Sequence, residues 1–299
     1  KNGHYCDFIF NTEKFPDPPE MLKSLRENGF KTRIWIQPTV SVKTAMFSEG
    51  DEKDFFIKDR EGKTYLWQSP LPNQPEGIDD LDFSKIDLDA LGLQPKGAIV
   101  DFSNPEAVDW FLSRLEYLVE MGVGVFMCDF GEEIPEDTRF ANGKSGKQMR
   151  NIYSTLYASA VYNFIKDKRS DPPICLIRSG WTGLHRYPIC WSGDPKVTWE
   201  AMREVLRGGL SLALTGVAFW SHDIGGTAPV VPDAQLYLRW MQFGMFTSHS
   251  RCHGMYPKEP WHFGSVPEDI FKKYDRLRYS LIPYIYSCAW ECIENDVPF

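Results

Sequence analysis

The chain has 299 residues, of which 42% are hydrophobic and 25% charged. That is enough for one large α/β domain with a sizeable core, or for two small ones. A formal net charge of −8 weighs against a nucleic-acid partner, and the absence of any run of about twenty apolar residues excludes a helical membrane span.

In chain order, PPEMLKSLRENGF (18–30) has apolar residues at helical spacing and a stop at Gly29. KTRIWIQP (31–38) reads as a short strand. A long polar stretch from about 41 to 97, with Trp67 in its middle, reads as a decorated insertion loop. GAIVDFSNPE (97–106) is a strand-to-helix transition in which Ser103 or Asn104 can cap and Pro105 can begin the helix that runs over 107–122. GVGVFMCDFGEE (122–133) then runs apolar and ends in charge, the pattern of a strand buried on both faces. A helix over roughly 147–167 leads to two more apolar strands, 172–180 ended by Arg178 and 186–194 ended by Asp194. After a helix over 198–214, the strand 216–226 ends in His222 and Asp223, and a helix over about 232–246 leads to SHSRCHG (248–254). The tail, 267–293, reads as an amphipathic helix broken or kinked at Pro283.

Strands alternating with helices, without a hairpin signal, predict a parallel sheet. Polar residues cluster at strand ends. That fits the mouth of a (β/α)8 barrel, or the switch point of an open sheet. Four or more successive polar strand ends, and no glycine-rich phosphate turn, favour the barrel, with all 299 residues in one domain. The seven cysteines include Cys128, Cys175 and Cys190 inside apolar runs, which reads as buried free thiols in a reducing, cytoplasmic setting. Cys128 points away from the side of its strand that Asp129 uses.

Asp129 and Asp194 end separate strands and would face one mouth. Paired carboxylates of this kind equip retaining or inverting glycosidases. Arg178 can stabilise an ionised Asp129 or bind a sugar hydroxyl. Glu132 and Glu133 read as a solvated helix start. Trp35, Trp67 and Trp220 offer ring faces to a pyranose; Trp191 reads as structural. His249, His253 and Asp223 can also be read as a metal site, although the chain has no paired CxxC units or other zinc spacing.

FMCDFGEEIPED (126–137), RSGW (178–181), CWSGD (190–194), LRGGLSLALTG (206–216), FWSHDIGG (219–226) and RWMQFGMFTSHSRCHG (239–254) together resemble the catalytic barrel of glycoside hydrolase family 31. FPDP (15–18), WIQP (35–38) and DFSNP (101–105) extend the likeness upstream, in the family's order. The resemblance implies a (β/α)8 TIM barrel that is incomplete, its first strand and most of the second missing. It also implies β-rich flanking domains that would pack on the barrel, and a retaining α-glycosidase that needs no cofactor or metal. Asp129 matches the family nucleophile and Asp194 the general acid/base. Arg178 and His253 match sugar-binding residues, and Trp35, Trp67, Trp220, Asp223 and Thr227 fall where the first subsite is lined. Met127 stands where bacterial α-xylosidases carry Lys and many α-glucosidases Trp. The expected partner is a small carbohydrate. The competing expectation is a non-catalytic sugar-binding barrel fragment.

Overall fold

The computed structural model describes residues 6–67, 96–187, 189–227 and 230–299. The chain divides into two compact units, Lys1–Gly183 and Leu184–Phe299. In the first, α1 (Pro18–Glu27) begins at two prolines and is capped by Asp17, whose Oδ1 accepts from the Glu20 N–H at 3.0 Å. The strand β1 (Arg33–Ile36) follows, after a left-handed Gly29. Next come β2 (Thr39–Ser41), α2 (Ala45–Glu52), β3 (Leu66–Trp67) and β4 (Gly97–Ile99). The predicted insertion loop is therefore partly folded: β2, β4 and β3 form an antiparallel sheet in that order. The strand at 97–99, expected in the parallel sheet, joins this small sheet instead. Gly97 permits the close pairing, because a Cβ there would lie 2.5 Å from Thr39 Cγ2. About half of the expected loop, 68–95, lies outside the described residues.

The predicted helix 107–122 is two helices, α3 (Pro105–Ser113) and α4 (Glu116–Glu120), and Asn104 is the cap of the first. Then come β5 (Val125–Cys128), α5 (Gly146–Met149), α6 (Tyr153–Lys168) and β6 (Cys175–Ile177). Strands β1, β5 and β6 are parallel, with Trp35 opposite Met127 opposite Leu176, and Ile36 opposite Cys128 opposite Ile177. Because side chains alternate along a strand, Trp35, Met127 and Leu176 share one face. On the other, Cys128 lies against Cys175 and Tyr157 of α6, and burial pushes its thiol well above the ordinary range. Tyr153, Tyr157, Val161 and Ile165 make the buried stripe of α6, at spacings of four.

In the second unit, β7 (Ile189–Trp191) and β8 (Phe219–Ser221) are parallel, with α7 (Trp199–Ala213) between them in sequence. A single parallel bridge, Asp223 to Arg251, marks where the next strand would begin. Helix α8 (Ala234–Gly244) buries Leu236, Tyr237, Trp240 and Met241. Helix α9 (Ser265–Asn295) runs 31 residues with Pro283 inside it, so of the expected break or kink there is no break. The described residues supply five parallel strands and this one bridge, fewer than the eight that close a (β/α)8 barrel.

Candidate active site

Asp129 stands one residue beyond β5. Its N–H still bonds Ile36 O at 2.9 Å, so the ladder holds the residue in place. Two left-handed residues, Phe130 (φ 59°) and Gly131 (φ 99°), then turn the chain away. Glycine takes that conformation freely, whereas phenylalanine does so only under constraint. The constraints are visible: Ser179 Oγ donates to Phe130 O at 2.9 Å, and the Arg178 guanidinium lies 4.6 Å from the Phe130 ring centre.

The Asp129 side chain is 9% exposed. Trp35 Nε1 donates to its Oδ2 at 2.6 Å. Arg178 Nη1 and the Phe130 N–H donate to Oδ1 at 3.1 and 2.9 Å. All three partners are donors, which suits an acceptor-only carboxylate. The other edge of Arg178 reaches Glu132 Oε1 through Nε at 2.9 Å, so one cation bridges two acids. Glu132 and Glu133 are thus not a solvated helix start, and no helix begins there. Glu133 shares a pocket with Trp67, Phe130 and Tyr153. Burial, then the charge of Glu132, raises its pKa. Met127 is buried on the strand face that carries Trp35. Trp67 is 6% exposed, its ring packed edge to face with Phe130 at 5.7 Å between ring centres. It walls the site rather than presenting an open ring.

In the second unit, Gly193 (φ 72°) turns the chain after β7, and Asp194 follows it, exposed. Asp223, expected to face sugar, is fully buried. Arg251 Nε sits 2.7 Å from its Oδ1, and Thr227 Oγ1 donates to its Oδ2 at 2.6 Å. Asp223 and Thr227 therefore form an internal brace, not an open sugar contact. Arg251, which the sequence reading passed over, also lies over the Trp191 ring at 5.2 Å. That places Trp191 in the structural role read for it.

Trp220 also differs from expectation. Its ring packs against α7, where a Cβ on Gly209 would come within 2.1 Å of it, and against Phe243 of α8. Side chains on β8 alternate, so Trp220 and His222 face the helices. His222 accepts from Trp240 Nε1 at 2.9 Å and stacks on Phe243 at 4.2 Å. Burial lowers its pKa to about 3. His253 is exposed on the loop after the Arg251 bridge. Among the described residues, no group of three His, Cys, Asp or Glu side chains is placed to hold a metal.

Comparisons with known proteins identify the family. The model of the glycosyl hydrolases family 31 TIM-barrel domain matches residues 2–288. The chain is 36% identical to an α-xylosidase of Emericella nidulans over all of its own length and 36% of that protein. It is also 36% identical to the α-xylosidase XylQ of Lactiplantibacillus pentosus, over 97% of this chain and 35% of that one. Among solved structures, a family 31 dextranase of Flavobacterium johnsoniae, complexed with glucose, superposes with a TM-score of 0.82 at 28% identity. The match covers 99% of this chain and 36% of the dextranase. The chain thus spans about a third of the length of these relatives, and it belongs to glycoside hydrolase family 31.

Proposed function

We propose that the protein carrying this chain is a retaining, exo-acting α-glycoside hydrolase that acts on α-linked oligosaccharides or glycosides. Asp129 attacks the anomeric carbon and displaces the glycosidic oxygen, which takes a proton from Asp194. Water then attacks the glycosyl-enzyme ester, Asp194 takes the water's proton, and Asp129 departs as carboxylate. The observation that carries this reading is the Asp129 carboxylate itself: buried at a parallel strand end, oriented by Trp35 and the Phe130 N–H, and charge-compensated by Arg178. Two α-xylosidases among the relatives support an α-xyloside as the first substrate to try, with α-glucosides beside it.

The test assays the full-length protein on aryl α-xylosides, α-glucosides and α-galactosides, then repeats the assay with Asp129→Ala. Turnover should fall by several orders of magnitude, and added azide or formate should restore part of it as the small anion fills the space of the lost carboxylate. An Asp129→Ala protein with ordinary turnover would remove Asp129 from the mechanism. Saccharide binding by a wild-type protein that turns over none of the substrates would favour the non-catalytic reading.

A further inference from the structure

Lys258 is 3% exposed and lies in a loop that the reading above leaves without a role. Its Nζ donates to Gly225 O at 3.1 Å, and its backbone O accepts from Tyr237 Oη at 2.7 Å. Its stem fills the space beside Gly254, where a Cβ would come 2.4 Å from Cε. A buried ammonium is costly unless something holds it there. What it holds is the turn 223–227, whose Asp223 is braced by Arg251 and Thr227.

That turn in turn holds the segment after Asp194. Thr227 N–H donates to Pro195 O at 2.8 Å. A Cβ on Gly226 would lie only 2.8 Å from Lys196 O and 3.1 Å from Pro195 O, so the two backbones are in direct contact. Met255 N–H donates to Thr227 O at 3.2 Å and closes the circuit back to the Lys258 loop.

We propose that Lys258 is a positioning residue for the general acid/base: its buried ammonium clamps the 223–227 turn, and the turn fixes the Pro195–Lys196 backbone that presents Asp194. The inference rests on the glycosidase reading and names a part of its machinery. The groups that face Lys258 are Asp223 with its partner Arg251, Cys252, Tyr237 and the adjacent Glu259. Burial lowers the ammonium pKa to about 8, against the opposing charge of Asp223. The clamp is therefore charged below about pH 8 and is lost as pH rises through that value.

The experiment measures kcat/KM against pH for the full-length enzyme, Lys258→Met and Lys258→Arg. Each is assayed on an unactivated α-glycoside and on an aryl α-glycoside with a good leaving group. Methionine keeps the apolar stem and drops the charge. Misplacement of a reacting group costs on the order of 100-fold. Lys258→Met should therefore lose about that much on the unactivated substrate and far less on the activated one, which hardly needs the acid. Lys258→Arg should recover much of the loss and move the alkaline limb upward.

Equal losses on both substrates with an unshifted pH profile would overturn the inference and leave the glycosidase reading standing. A wild-type protein without turnover would overturn that reading instead. Should Lys258→Met fail to fold, the wild-type profile decides: the inference requires an alkaline limb near pH 8 on the unactivated substrate that Lys258→Arg displaces.

Discussion

Trp35→Phe isolates one hydrogen bond at the carboxylate proposed as nucleophile. The indole N–H reaches Asp129 Oδ2 at 2.6 Å, while Arg178 and the Phe130 N–H remain on Oδ1. Phenylalanine keeps an aromatic ring opposite Met127 in the strand register and deletes only the donor and the second ring. A hydrogen bond to a charged group contributes about 1.5–3 kcal/mol, and each 1.36 kcal/mol is tenfold in rate. The expected fall in kcat is about 10- to 100-fold. Its distribution between steps is the sharper test. In the second step of the proposed mechanism Asp129 leaves the sugar as a carboxylate, so a donor on Oδ2 would assist departure. In the first step the same donor stabilises the carboxylate before attack and gains nothing at the transition state. Trp35→Phe should therefore slow breakdown of the glycosyl-enzyme more than its formation. With an activated aryl α-glycoside, rapid-mixing kinetics should show a burst of phenol followed by a slow steady rate. If instead the variant folds normally, binds sugar weakly and keeps its kcat, Trp35 serves as a ring platform and the donor argument is wrong.

Asp194→Ala should reduce turnover of unactivated glycosides much more than that of substrates with good leaving groups; equal losses would refute the acid role. Gly209→Ala places a Cβ about where the Trp220 ring now sits, 2.1 Å from its nearest atoms. Overpacking of this kind costs about 1–3 kcal/mol, so the urea midpoint should fall, and Gly209→Ala/Trp220→Leu should recover part of the loss. His222 is buried neutral, its pKa lowered from 6.5 to about 3. Below pH 6.5 the unfolded chain takes up a proton that the folded chain refuses, so stability falls as pH drops from about 6.5 toward 3. That slope approaches about 1.4 kcal/mol per pH unit for one proton, and His222→Gln should lessen it in denaturation curves collected across that range.

The parallel strands and their polar ends were legible because apolar runs such as VFMC and CLI end abruptly in Asp129 and Arg178. A helix start was legible where a cap and a proline coincide, at Asn104 with Pro105. Side-chain direction was harder to read. Trp220 carries a sugar-stacking residue type, yet β8 is only three residues long and its alternation turns the ring toward Gly209. The available signal was the GG pair of LRGGLSLAL: a residue without a side chain on a helix face leaves space for a large neighbour. The brace of Arg251 on Asp223 joins positions 28 apart (251 − 223) and has no local pattern. Pro283 left two outcomes open, since proline removes one helical hydrogen bond and breaks or kinks a helix, and α9 continues through it.

The two sets of charged groups are built on different principles, and the difference bears on their roles. Around Asp129 one guanidinium serves two acids, Asp129 and Glu132, and its face rests on a strained Phe130. In the proposed mechanism the second acid would keep Arg178 in place when ester formation consumes the charge on Asp129, so the cation would have no reason to leave. Around Asp223, by contrast, Arg251 and Thr227 close on the carboxylate from both sides and exclude solvent. Esterifying that carboxylate would break both contacts and remove the charge opposite the buried Arg251 guanidinium, and breaking a buried ion pair costs about 3–5 kcal/mol. The contrast supports Asp129, and not Asp223, as the proposed nucleophile.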